Sequence, residues 1–192
     1  MAKNLLQNSC ELVSVTPAAA TDQVASPFGL VKIQSQIVSS VTTISFINLS
    51  NYPYKTFKLF GNFSGSTSID TGVVLSSNNG ATYITAGYSV SNPTVPAGSG
   101  SWASGAITSQ FNINTGPGGS ATQIAFEITL YAMNTASGLV SMTGLSTNTS
   151  GSGSYVSVLG GYLTTATNAN ALQITAGGTT TMTGTFSLYG YN

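Results

Sequence analysis

At 192 residues with 41% hydrophobic side chains, the chain is long enough for one domain with a real core and too apolar for wholesale disorder. Only 4% of its residues are charged and the formal net charge is zero, against about a quarter charged in an average soluble domain. Lys3, Lys32, Lys55 and Lys58, with no arginine, cannot build the phosphate-neutralising stripe of a nucleic-acid binder or a polybasic membrane patch.

The surface is therefore left to Ser, Thr, Asn, Gln and Gly. A neutral chain lacks the repulsion that keeps monomers apart, which suits a subunit that works in an assembly. Residues 1–27 carry Pro17, the run Ala18-Ala19-Ala20, and Glu11 and Asp22, with no strong alternation. At most a short helical turn is expected over 5–15. The segment reads either as an arm that docks on a neighbour or as a first strand with a linker. Cys10 is the only cysteine, so no intrachain disulfide forms, and it reads as a small apolar residue. The first residues lack a signal-peptide h-region, and no apolar run nears the roughly 20 residues of a bilayer span. The expected product is a soluble protein made in a reducing cytoplasm.

Residues 28–192 alternate with period two, rich in Val, Ile, Thr, Phe and Tyr. Strands are expected near 28–38, 41–49, 54–63, 69–76, 81–90, 106–113, 121–133, 138–145, 154–164, 170–176 and 182–190. Inward-facing sets are Ile44 and Phe46 (with Asn48 in phase), Phe57 and Leu59, Ile124, Phe126, Ile128 and Leu130, Leu172 and Ile174, and Phe186 and Leu188. Turns are expected at Asn78-Asn79-Gly80, Asn92-Pro93, Gly116-Pro117-Gly118-Gly119, Gly151-Ser152-Gly153 and Gly177-Gly178. Many short strands with turns every eight to twelve residues predict an all-β antiparallel sandwich, jelly-roll-like. The polar stretches 91–105 and 114–120 are expected as exposed loops at one end.

Chemistry has little to work with. There is no histidine, and acid–base catalysis near neutral pH leans on that side chain most often. The carboxylates are Glu11, Asp22, Asp70 and Glu127, and nothing in the sequence pairs Asp70 with Glu127 across a substrate. One cysteine without histidine excludes a zinc site, and a calcium site through Asp70 lacks a spaced Asp/Asn loop. Neither Gly98-Ser99-Gly100-Ser101 nor Gly151-Ser152-Gly153 forms a nucleophile elbow, and Gly116-Pro117-Gly118-Gly119 lacks the Lys-Ser/Thr of a phosphate loop. No catalytic, cofactor or metal residues are expected. Trp102, in the polar run Gly100-Ser101-Trp102-Ala103-Ser104, is the one candidate contact residue: it caps the sandwich, anchors an interface or stacks on a sugar. Tyr52, Tyr54, Tyr83, Tyr88, Tyr155 and Tyr162 are expected to pack in the sandwich.

The segments Ala169–Gly178 and Met182–Gly190, the latter reading MTGTFSLYG, resemble a recurring ending of tailed-phage virion structural proteins. Tyr54–Asn62, Ser76–Tyr83 and Gly160-Gly161-Tyr162 are similar to upstream parts of the same group, so the resemblance covers residues 40–192. It departs at Ala81, where the group has a second glycine. It implies a jelly-roll domain, frequently trimeric. The expectation is a non-enzymatic protein on the virion exterior, as a homotrimeric decoration or cement protein bound to the major capsid protein or to other virion proteins. The alternative is a tail-fibre or host-glycan binding module resting on Trp102. Neither nucleic acid nor membrane is an expected partner.

Overall fold

The computed structural model describes residues 29–66, 71–91, 94–96, 106–113, 121–150 and 153–191. In chain order its strands are β1 (Val31–Val41), β2 (Thr43–Phe46), β3 (Thr56–Gly65), β4 (Thr71–Ser76), β5 (Tyr88–Ser91), β6 (Thr94–Pro96) and β7 (Ala106–Thr108). They continue with β8 (Phe111–Asn112), β9 (Ala121–Tyr131), β10 (Ser141–Ser150), β11 (Gly153–Leu163), β12 (Ala171–Ala176) and β13 (Met182–Tyr191). A 3-10 turn, Leu49–Asn51, follows β2.

Two antiparallel sheets result. The small one runs β2-β12-β4-β8, and the large one runs β1-β13-β3-β9-β10-β11-β5-β7, with β6 also on β11. Two sets of four strands, β1-β13-β3-β9 facing β2-β12-β4-β8, carry a double Greek key, so the sandwich is a jelly roll. Two insertions extend it. The hairpin β10–β11 lies between β9 and β12, and β5, β6 and β7 lie between β4 and β8. Because β11 pairs with β5 and β6, the insertions widen the large sheet beyond the jelly roll.

Alternation sets which side chains lie between the sheets. Ile124, Phe126, Ile128 and Leu130 are buried while Gln123, Ala125 and Glu127 are exposed, and the same holds for Phe186 and Leu188 of β13. Facing them, Ile44, Phe46, Leu172, Ile174, Val73 and Leu75 close the core from the small sheet. At its centre the Phe63 ring lies 5.2 Å from Phe186 and 6.3 Å edge-on from Phe126. Each such ring, fully buried, contributes about 1.5–3 kcal/mol against exposure.

Some aromatic rings need glycine opposite them. Gly61 pairs with Phe126 across β3 and β9, and a Cβ at Gly61 would come within 2.2 Å of that ring. Tyr54 lies over Gly190 in the same way, at 2.0 Å. The closing Leu-Tyr-Gly thus divides its labour. Leu188 points into the core, Gly190 makes room for Tyr54, and Tyr189 turns outward to meet Phe60 edge-on at 5.5 Å.

Several boundaries depart from the sequence expectation. Of 81–90, only Tyr88–Val90 are strand, because Gly87 at φ +83 breaks the run. Asn48 lies outside β2, in left-handed backbone at φ 60, and ends the alternation of Ile44 and Phe46. The 106–113 strand divides at Ser109 and Gln110, sending β7 to the large sheet and β8 to the small. Within the loop expected at 91–105, residues 94–96 pair with β11 as a strand. The arm or linker expected at 1–27 lies outside the described residues.

Replacing Gly190 with alanine places a methyl where the buried Tyr54 ring sits. Gly190→Ala should lower stability by about 1–3 kcal/mol, the range for core overpacking, seen as a lower urea midpoint at unchanged m-value.

Candidate functional site

Glu127, the acidic side chain among the described residues, lies on the outer face of the large sheet and forms an ion pair with Lys58. Phe60 sits opposite Glu127 in the β3–β9 register, and the Lys58 ammonium also lies 5.4 Å from the Phe60 ring centre. Such an exposed pair contributes little to stability. Among the described residues no three of His, Cys, Asp and Glu come together as a metal site, and no helix is long and apolar enough to cross a membrane. Trp102, Cys10, Glu11, Asp22 and Asp70 lie outside the described residues, as do 97–105 and 114–120 of the two expected loops.

One end of the sandwich is held by asparagines. At the expected Asn78-Asn79-Gly80 turn, Asn79 (φ 59) and Gly80 (φ 85) both take left-handed backbone, and the Ala81 N–H donates to the Asn78 carbonyl at 3.3 Å. This is the type I′ geometry that Asn-Gly favours. The Asn79 side-chain amide exchanges hydrogen bonds with Asn48, accepting from its backbone N–H and donating to its Oδ1. The Asn79 N–H donates to Asn170 Oδ1 at 2.8 Å. Asn134 donates its amide to the carbonyls of Leu49 and Tyr54, at 2.9 and 3.2 Å. These contacts tie four connections together with neutral amides. Their arrangement is that of a clasp: each side chain faces backbone or another amide.

Tyr88 is the most perturbed titratable group among the described residues. Its hydroxyl accepts from the Leu75 N–H at 2.9 Å and donates to the Ile84 carbonyl at 3.0 Å, bridging β4 and the segment before β5. Its ring meets Phe111 edge-on at 4.8 Å. Burial pushes the hydroxyl up to about 12, partly offset by the hydrogen bond from Leu75, and burial raises Tyr54 as well. With backbone groups as its partners, Tyr88 is a structural strut. Tyr54 is buried as expected, whereas Tyr162 is exposed on the outer face.

The inserted hairpin presents an arrangement that hydropathy alone does not forecast. On β10 and β11 the side chains turned inward include Ser146, Asn148 and Ser157, all buried. Ser146 Oγ donates to the Ile113 carbonyl at 2.7 Å. The side chains turned outward include Leu145, Val156 and Val158, about half exposed at 54%, 48% and 50%. Leu145 and Val158 are direct cross-strand partners, and Val156 follows two residues along. Polarity is thus inverted over this half of the hairpin, and an apolar strip faces solvent. Sequence reading missed these residues. Val156 and Val158 flanking Ser157 fit an inward-facing valine pair equally well, and only the register with β10 turns them out.

Compared with family models, curated proteins and solved structures, the chain matches none.

Alkaline titration tests the Tyr88 strut. A folded-state value raised above the unfolded value near 10 stabilises the fold fully below about pH 10, and this contribution is lost as pH rises through about 12. Stability measured by urea unfolding should therefore fall by about 2–3 kcal/mol over that window on account of Tyr88. Tyr88→Phe should start less stable, and its loss over the same window should be smaller by that amount.

Proposed function

We propose that this chain is a non-enzymatic structural protein on the exterior of a tailed-phage virion, a homotrimeric decoration or cement protein seated on the capsid shell. The observation that carries the reading is the apolar strip of Leu145, Val156 and Val158, aliphatic groups facing water side by side on a chain with almost no charge. Exposed contiguous apolar surface marks a place where another surface belongs. The jelly-roll strand order and the closing Met182–Gly190 segment, similar to the ending of phage structural proteins, support the same reading.

Its mechanism is mechanical. Contacts between subunits and with the major capsid protein remove apolar area from water, at about 25 cal/mol per Å2 before the cost of association. Distributed over a lattice, these contacts hold the shell against internal pressure. A surface with few charges makes such contacts insensitive to salt, because Debye screening acts on charges and not on apolar burial. The other reading, a tail-fibre tip that binds host glycan, rests on Trp102 and the loops around it.

Quantitative mass spectrometry of purified particles tests the proposal. Hundreds of copies per particle are expected. A handful would move the chain to the tail, and its absence from washed particles would overturn the virion reading.

A further inference from the structure

We infer that the outer face of the β10–β11 hairpin is where copies of this chain pack on one another, around a symmetry axis that runs past the Leu145–Val158 pair. The inference rests on reading the chain as an assembling subunit and not on where that assembly sits.

Three observations carry it. The first is the inversion of polarity. Ser146, Asn148 and Ser157 occupy the side turned toward the protein, while Leu145, Val156 and Val158 occupy the side turned to water. The inward Ser146 hydroxyl is satisfied by the Ile113 carbonyl, so the cost of this ordering in a monomer falls on the outer side, where covering the apolar groups removes it. The second is its location. On the jelly-roll part of the same face the outward positions mix polar Ser35, Ser187, Thr183, Thr185 and Asn62 with the aromatic rings of Phe60, Tyr189, Tyr131 and Tyr191 and, on the far edge, Ile37, so an aliphatic pair facing across two strands is particular to the hairpin. The apolar strip is confined to strands added beyond the jelly roll.

The third observation identifies the occupant. Apart from Glu127 and Lys58, which neutralise one another beside the strip, the described outward positions from β9 to β11 are uncharged. The whole chain also has zero formal charge. Two copies therefore approach through this face without repulsion, and apolar groups at an axis meet their own counterparts. Thr143 and Thr147 flank Leu145 along β10, and Glu127, paired with Lys58, lies directly across from it on β9, so polar groups bound the apolar centre. The face from β3 to β11 covers about 600 Å2 in projection, from strand spacing and rise, which is of the order of the roughly 800 Å2 per partner in a standard interface. In a trimer the strips of three chains would line the axis together.

The test is assembly of the full chain by sedimentation velocity and light scattering. Wild-type protein should be oligomeric at low micromolar concentration. Val158→Glu should raise the dissociation constant at least about a hundredfold, since it buries an unpaired carboxylate at each contact. Its near-ultraviolet circular dichroism should be retained, because Val158 is exposed in the single chain. Thr185→Glu, on the same face outside the strip, should assemble like wild type. The pair Leu145→Asn with Val158→Thr, each close in shape to the residue it replaces, serves if the glutamate disturbs folding, and should also weaken assembly. A wild-type protein that is monomeric at about 100 µM, or strip variants that assemble as tightly as wild type, would overturn the inference. A monomer still abundant in particles would sink only this inference, whereas an oligomer absent from particles would sink only the virion reading.

Discussion

Everything in this molecule is arranged around one apolar layer trapped between two sheets. That layer forms because each framework strand alternates, and because pairing in register carries each alternation across to its neighbour. Gly61 under Phe126 and Gly190 under Tyr54 show how tightly the layer is filled. Where a ring occupies the space of a neighbour's side chain, that neighbour has none. The large sheet can then bear Phe63, Phe126 and Phe186 together at the centre without parting from the small sheet.

Outside that layer the chain works with almost no ionic groups. The tasks that charge performs in other proteins fall to amides and hydroxyls. The Asn48–Asn79 exchange and the Asn134 bonds to two carbonyls fix loop ends by satisfying backbone groups. On the outer face the hydroxyls of Ser35 and Ser187 join β1 to β13 by a hydrogen bond of 2.8 Å. Neutral hydrogen bonds of this kind do not respond to salt and respond little to pH over most of the range. Among the described residues the group that couples folding to pH most strongly is a buried phenol, Tyr88, far into the alkaline range.

Period-two alternation is a local property, and what is local was legible. Ile124 to Leu130, Phe186 with Leu188, and Leu172 with Ile174 declare their buried faces from spacing alone, and Asn79-Gly80 declares its turn. What depends on remote partners was not legible. Tyr83 and Ile84 have strand composition, yet they lie against the small sheet, with the Ile84 N–H on the Leu75 carbonyl of β4 and the Tyr83 hydroxyl on Ser45 of β2. The division of 106–113 between two sheets is likewise invisible, since Ala106–Thr108 and Phe111–Asn112 differ only in which neighbour each finds. Of the candidate site, Trp102 stood out in sequence by its polar surroundings, while the strip on β10 and β11 had no local signature.

That last difference has a physical root. A side chain's face on an inserted hairpin is decided by pairing with the strand before it, here Leu145 opposite Glu127 and Val158 opposite Leu145. Glu127 faces water because Ile128 and Phe126 must not. Its outward orientation passes through two registers to Leu145 and then to Val158, so the core of the jelly roll dictates that these apolar residues point away from it. A slip of one residue would turn the strip inward and expose Ser146 and Ser157. The slip would also unseat Gly144, whose missing side chain leaves room for the backbone of Glu127 and Ile128. The hairpin is thus pinned in the orientation that leaves Leu145, Val156 and Val158 facing water, a consequence of the jelly-roll core and not of the hairpin's own composition.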